Sequence, residues 1–277
     1  MKKRTVLGIG VALVVILLLF VSGVGRRGAT PNAVNTKGKV VKFLVVSQYK
    51  PFGYFNENGK LDGYEPAVLK ALDKVIPNYK FEFITGGEDA FSELQSGKVD
   101  ALASQWSSNA ERRKKYTLTD VAYSNFGNYI VWDKDKHHNF QSLEDLRGKN
   151  VFGYTGSAPI ATAEIFNKEK GGDNPIKIKY STSSDTAKTI KDFQSGVIDA
   201  QIATDYDVKQ WNKAFGSDLV TSKRPVFSSG SYYVLKKGNT DLKNALDKGV
   251  TKLKEDGTLT KLSKKYLGDD YTKAPNK

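Results

Sequence analysis

Hydrophobic positions along the chain change period in a repeating order. Val40–Ser47 (VVKFLVVS) is an apolar run of strand length, and Tyr64–Val75 carries apolar residues at helical spacing. Lys80–Ile84 alternates like a strand, Asp89–Gln95 is a short helical stretch, and Val99–Ala103 is strand-like again. Strands that alternate with helices predict a mostly parallel sheet flanked by helices. A second series follows at Asn150–Gly153, Ala158–Asn167, Ile176–Tyr180, Thr186–Gln194, Ile198–Ala203 and Asp205–Ala214. Two amphipathic segments, Asp241–Lys254 and Leu259–Tyr266, close the chain.

The two series echo one another. Gln95-Ser96-Gly97-Lys98-Val99-Asp100-Ala101 is matched 99 residues later by Gln194-Ser195-Gly196-Val197-Ile198-Asp199-Ala200. Each copy predicts a helix that stops at a glycine, where a left-handed backbone costs least, and a strand with an acidic residue at its start. The extended run Tyr129–Lys136 leads out of the first series, and Leu219–Val234 forms a return path. The expected fold class is therefore α/β: two similar lobes, each a mostly parallel sheet flanked by helices, joined by two hinge strands near Val131–Lys136 and Arg224–Ser231. The expected organisation is a first lobe at 39–132 and 226–272 around a second at 133–225. Ligands of open α/β sheets sit beyond the carboxyl ends of the strands, so two facing lobes predict a ligand cleft.

The amino terminus changes the picture of location. Val6–Gly25 carries no charge and follows Lys2, Lys3 and Arg4. In a helix, 20 residues span roughly 30 Å, the thickness of bilayer hydrocarbon, whereas the apolar core of an export signal runs to about 7–15 residues. Residues 1–28 are expected to be a membrane anchor or a cleaved signal, the length favouring the anchor. Residues 29–38 are small and polar and predict a tether. Either way the bulk of the chain is exported.

Composition removes several classes of function. The chain of 277 residues has 43 Lys+Arg, 30 Asp+Glu, two His and no Cys. Without Cys there are no disulfides, thiolate metal sites or cysteine nucleophile, and the adjacent His137 and His138 leave little for a histidine metal site. No metal and no cofactor is expected. The formal charge of +13 raises nucleic acid as a partner. The densest basic cluster, however, is only Arg112–Lys115, with no nucleic-acid motif around it, so a solvated basic surface is the expectation.

Four segments carry a resemblance: 49–65 (YKPFGYFNENGKLDGYE), 97–124 (GKVDALASQWSSNAERRKKYTLTDVAYS), 142–157 (SLEDLRGKNVFGYTGS) and 195–200 (SGVIDA). In this order they resemble the solute-binding proteins of polar amino-acid ABC importers, which have the type II periplasmic-binding-protein fold. The resemblance runs from about Lys39 to Tyr271. It implies a monomeric binding protein, not an enzyme, that captures an amino acid between its lobes and presents it to a membrane permease.

The resemblance also implies a site. An Arg offers a carboxylate a planar, permanently charged fork; Arg112 stands eight residues before Asp120 and five after Ser107, matching the family register. Ser107 would add a hydroxyl and Gln105 a neighbouring backbone group. Gly156 and Ser157 open a helix, whose free amides and dipole favour an anion. The ammonium needs an acid from the second lobe. The family position, five residues after Asp199, holds Thr204; Asp205 is the next residue and the preferred acid, with Asp207 a weaker candidate. Tyr49 would pack over the ligand side chain. The second family aromatic is absent at Gly86-Gly87, and Trp106 would fill that wall. The segments Gln105-Trp106-Ser107, Asn109 with Glu111–Tyr116, and Ile76–Phe81 most resemble binders of L-cystine and related sulfur amino acids. Glutamine or another polar amino acid is the alternative ligand, and an amino-acid dehydratase on the same fold is the alternative class. For the latter, Glu88 and Asp89 are the available acid pair, which a helix cap explains equally well.

Overall fold

The computed structural model describes residues 38–86, 89–155, 157–181 and 185–274. The anchor or signal at 1–28, almost all of the tether at 29–38, and Gly87, Glu88 and Gly156 lie outside them. Among the described residues no helix is long and apolar enough to cross a membrane.

The chain first builds most of one lobe. Strand β1 (Lys39–Val46) leads to a small antiparallel patch of β2 (Gln48–Tyr49), β3 (Gly53–Phe55) and β4 (Leu61–Asp62). Then come α1 (Tyr64–Val75), β5 (Tyr79–Gly86), α2 (Ala90–Ser96), β6 (Ala101–Ala103), α3 (Ala110–Lys115) and β7 (Thr117–Leu118). Strand β8 (Ser124–Asp133) crosses to the second lobe, made of β9 (Asn150–Tyr154), α4 (Ala158–Lys170), β10 (Lys177–Ser181), α5 (Thr186–Ser195), β11 (Ala200–Thr204), α6 (Asp205–Phe215) and β12 (Leu219–Thr221). Strand β13 (Phe227–Ser231) returns beside β8. Strand β14 (Val234–Leu235) and helices α7 (Thr240–Glu255) and α8 (Thr258–Leu267) complete the first lobe.

The first sheet has the order β5-β1-β6-β14-β7 and the second β10-β9-β11-β8-β12, with β13 also on β8. The parallel part of each is a strand trio, β5-β1-β6 and β10-β9-β11. The remaining strands are antiparallel because they belong to the passages between lobes and the return from them. Residues 124–133 and 227–231 lie wholly in the second sheet, where Ser124 pairs with Ser231. The chain therefore crosses at 123/124 and 231/232, whereas the sequence reading placed the breaks at 132/133 and 225/226. Both crossings carry small and polar residues, Ser124-Asn125 at one and Ser228-Ser229-Gly230-Ser231 at the other, but the strands run on through them, so the change of lobe falls at the end of an extended segment rather than in a separate loop.

Helix α1 shows how the elements arise. Tyr64, Val68, Leu69 and Leu72 fall on one face and are fully buried, an amphipathic stripe. Pro77 stands just beyond the helix, where its missing N–H and fixed φ prevent continuation. This face packs with α7 and α8 against Phe43, Val45 and Ala101, while Leu44, Leu94 and Leu102 form a separate core on the other side of the sheet. The second sheet is likewise covered on both faces.

The sequence echo is a structural repeat. Helices α2 and α5 each end at a left-handed glycine, Gly97 with φ 84° and Gly196 with φ 75°. Asp100 Oδ2 accepts from the Lys42 amide at 2.9 Å while the Asp100 amide donates to Lys42 O at 2.9 Å. Asp199 makes the same exchange with Asn150, at 2.8 Å each way. In both lobes the acidic residue staples the incoming strand to the strand beside it.

Candidate functional site

The cleft is built around Gln105, two residues beyond the end of β6. Its φ of 57° is left-handed, which costs a residue with a Cβ about 1–2 kcal/mol. The surroundings hold it there. Glu65 Oε1, in the first turn of α1, accepts from the Gln105 amide at 2.9 Å, from Gln105 Nε2 at 2.8 Å and from the Tyr123 hydroxyl at 2.8 Å. Gln105 Oε1 accepts from the hydroxyls of Ser124 and Ser231, both at 2.7 Å. Those serines stand at the two crossings, so one side chain joins the cleft floor to the hinge.

Two residues on, Ser107 forms a bridge with Ser231. Arg112 sits in α3, whose N-cap Asn109 accepts from the Arg112 amide at 2.7 Å. Its Nη1 donates to Ser107 O at 2.7 Å and to Ser107 Oγ at 3.1 Å. The guanidinium lies 5.4 Å from the ring centres of both Phe91 and Trp106, within cation–π range. Burial lowers its pKa, yet a guanidinium stays charged. No carboxylate ion-pairs with it among the described residues. The neighbouring Arg113 is different: it is exposed and paired with Asp120 at 3.4 Å.

The opposing wall is the start of α6. Thr204 is the N-cap; its hydroxyl accepts from the Asp207 amide at 3.0 Å and donates to Asp207 Oδ2 at 2.7 Å. The Asp207 carboxylate opens on the cleft at one edge, but most of it is desolvated and burial pushes its pKa up. Phe52, Phe126 and Tyr206 form an aromatic floor, with Tyr206 5.6 Å from Phe52 and 6.2 Å from Phe126.

Tyr49, Gln105, Ser107, Thr204 and Asp207, with the aromatic floor, line a cavity of about 140 Å³; Arg112 does not line it directly and stands behind Ser107, to which it is bonded. A second cavity, of about 350 Å³, adjoins it and contains Ser157, the N-cap of α4. Tyr49, Thr204 and Asp207 border both.

Two sequence expectations need correcting. Asp205 faces away from both cavities: its Oδ2 accepts from the Tyr271 hydroxyl at 3.1 Å and pairs with Lys209 at 3.4 Å. Residues two apart on a helix point about 200° apart, so only one of Asp205 and Asp207 can face the cleft, and it is Asp207. Trp106 does not fill the cleft wall. It packs edge-on against Phe91 at 4.9 Å, behind Arg112, on the far side of a segment whose neighbours Gln105 and Ser107 line the cavity. The aromatics of the floor and Glu65 were not anticipated. One signal was available: Thr204-x-x-Asp207 has the spacing of an N-cap and its reciprocal partner, which places Asp207 in the first turn.

Glu65 makes the fold sensitive to pH. It is fully buried, Oε2 has no hydrogen-bond partner among the described residues, and burial lifts the pKa to about 7. The folded chain then binds a proton that the unfolded chain has already lost above its ordinary value of 4.5. Stability should fall as pH rises from about 4.5 to about 7, with a slope from this group of at most about 1.4 kcal/mol per pH unit. Denaturant titrations across that window should show the slope in the wild type and a flatter profile in Glu65→Gln. Equal slopes would remove Glu65 as the cause.

The chain is similar to known proteins over most of its length. The sequence profile of bacterial extracellular solute-binding proteins, family 3, matches residues 41–269. The L-cystine-binding protein TcyJ of Bacillus subtilis (strain 168) is 32% identical over 265 residues, 95% of this chain and 96% of that protein. TcyK of the same strain, also named an L-cystine-binding protein, is 30% identical over 99% of each chain. A crystal structure from Bacillus subtilis, described as the probable amino-acid ABC transporter extracellular-binding protein ytmK, superimposes with a TM-score of 0.74 at 30% identity, covering 85% of this chain and 100% of that one.

Proposed function

Since the chain belongs to the bacterial extracellular solute-binding proteins of family 3, we propose that it captures a free amino acid, L-cystine first among them, in the cleft between its lobes and delivers it to an ABC importer. It works as a monomer held outside the membrane by its amino-terminal segment, and it binds rather than transforms its ligand. One observation carries this reading: Arg112, a guanidinium with no ion-paired acid among the described residues, stands on one lobe, and a desolvated carboxylate, Asp207, on the other. A zwitterion brings both missing charges.

Arg112, with the Ser107 hydroxyl beside it, takes the ligand carboxylate. Asp207, oriented by Thr204, takes the ammonium. Tyr49 and the floor of Phe52, Phe126 and Tyr206 cover the apolar part. A ligand that touches both lobes favours the closed arrangement by its differential affinity. L-cystine is preferred because the curated relatives TcyJ and TcyK carry its name.

A thermal-shift screen of the purified chain against the amino acids and L-cystine tests this. A ligand at 100 times its Kd adds about 2.7 kcal/mol to stability, so L-cystine should give the largest upward shift. A dominant response to glutamine would correct the ligand and leave the class. No response to any amino acid would overturn the reading.

A further inference from the structure

The second cavity has features that one amino-acid head in the first cavity leaves unused. Gln201, on β11, borders it and is only 4% exposed. Its Oε1 has no hydrogen-bond partner among the described residues. Buried carbonyl oxygens are nearly always paired, because leaving one unpaired forfeits its hydration for nothing. Ser157 borders the same cavity at the N-terminus of the 13-residue helix α4, an end that favours negative charge. The cavity thus offers a lone acceptor together with an anion-favouring helix end, and Trp211 and Tyr154 supply aromatic surface. Its shared wall of Tyr49, Thr204 and Asp207 lets one molecule reach from the first cavity into the second.

We infer that this cavity is a second subsite, which takes the far head of a two-headed amino acid, with Gln201 Oε1 accepting from the far ammonium and the start of α4 facing the far carboxylate. The inference rests on the first cavity being the site for the near head. It makes Gln201 a specificity-determining residue that separates two-headed ligands from single amino acids. Cystine, two α-amino-acid heads joined through a disulfide, has the required chemistry; S-methyl-L-cysteine keeps one head and the adjoining sulfur only.

Calorimetric titration of the full chain with these two ligands tests it, using wild type, Gln201→Leu and Thr186→Phe. Thr186 borders the cavity at the start of α5 and is not fully buried, so a phenyl ring there obstructs the space while Gln201 itself is left in place. Wild type should bind L-cystine more tightly than S-methyl-L-cysteine. Each variant should lose about tenfold or more in affinity for L-cystine, the scale of one hydrogen bond to a charged group, and keep its affinity for S-methyl-L-cysteine within about twofold. Equal losses for both ligands, or unchanged L-cystine binding, would overturn the subsite while the near-head site stands. Absence of binding of either ligand to wild type would overturn both readings. Should Gln201→Leu fail to fold, Thr186→Phe decides on the same criteria.

Discussion

Arg112→Ala should lower amino-acid affinity by about 2–5 kcal/mol, the usual cost of removing one member of a buried, hydrogen-bonded charge pair. Lost attraction is only part of the effect. In the variant a ligand carboxylate would leave water with only the Ser107 hydroxyl to meet it, and the rings of Phe91 and Trp106 that back the guanidinium offer it nothing; an unpaired charge in such a place is strongly disfavoured. Arg112→Lys should also bind poorly. The ammonium is a point donor and cannot give a carboxylate two parallel bonds while still holding Ser107. Arg113→Ala is the control. Its side chain is exposed and spent on Ser108 and Asp120, so affinity should move by no more than about 0.5 kcal/mol. Calorimetry on the three variants decides: wild-type affinity in Arg112→Ala, or a large loss in Arg113→Ala, would place the carboxylate elsewhere.

Asp207→Asn should produce a loss of the same order, while Asp205→Asn leaves affinity nearly untouched. Asparagine keeps the shape and the bond with Thr204 but loses the charge that faces the ammonium. Asp205 is committed to Tyr271 and Lys209, so its neutralisation should be felt in stability before binding. The wild type should also bind with a characteristic pH dependence. Burial raises the Asp207 pKa in the empty cleft, and an ammonium brought beside it favours the ionised form. Binding therefore expels a proton wherever Asp207 is still protonated. Affinity should fall as pH drops through that raised value and be level above it. Titrations over the acid range should show this dependence in wild type and not in Asp207→Asn; a dependence that survives the substitution would point to another acid.

The parts of the molecule governed by local chemistry were legible in the residues. The twelve residues of α1 were bounded at both ends by its apolar stripe and the following Pro77. The matched glycine and aspartate of the two echoes became matched helix ends and matched strand staples. The register linking Ser107, Arg112 and Asp120 led to a real contact between the first two. What was missed depends on direction or distance. Choosing Asp205 over Asp207 is a matter of helix phase, which chain spacing alone does not settle before the first helical residue is known. Trp106 stands between two cavity residues yet faces the other way. Glu65 acts through a residue 40 positions away, and the aromatic floor draws Phe52, Phe126 and Tyr206 from three distant parts of the chain: the turn before β3, strand β8 and helix α6. The crossings fell at the ends of β8 and β13, where small polar residues, Ser124-Asn125 and Ser228–Ser231, mark the change of lobe without a loop to announce it.

The position of β14 has a consequence for how the molecule is assembled. The second lobe occupies one continuous stretch, from β8 through β13, and its sheet is complete as soon as residue 231 exists. The first lobe is interrupted. Val234 and Leu235 pair with Leu102 and Ala101 of β6 on one side and with Leu118 and Thr117 of β7 on the other, so the strand that closes that sheet is made last. Until it arrives, β6 shows a bare edge and β7 has no neighbour, and exposed edges are templates for pairing with other chains. Contacts made across so long a separation in sequence also form slowly. The chain thus emerges with its inner lobe finished and its outer lobe open at the middle, and the last segment, β14 to α8, is the piece that ends this vulnerable interval.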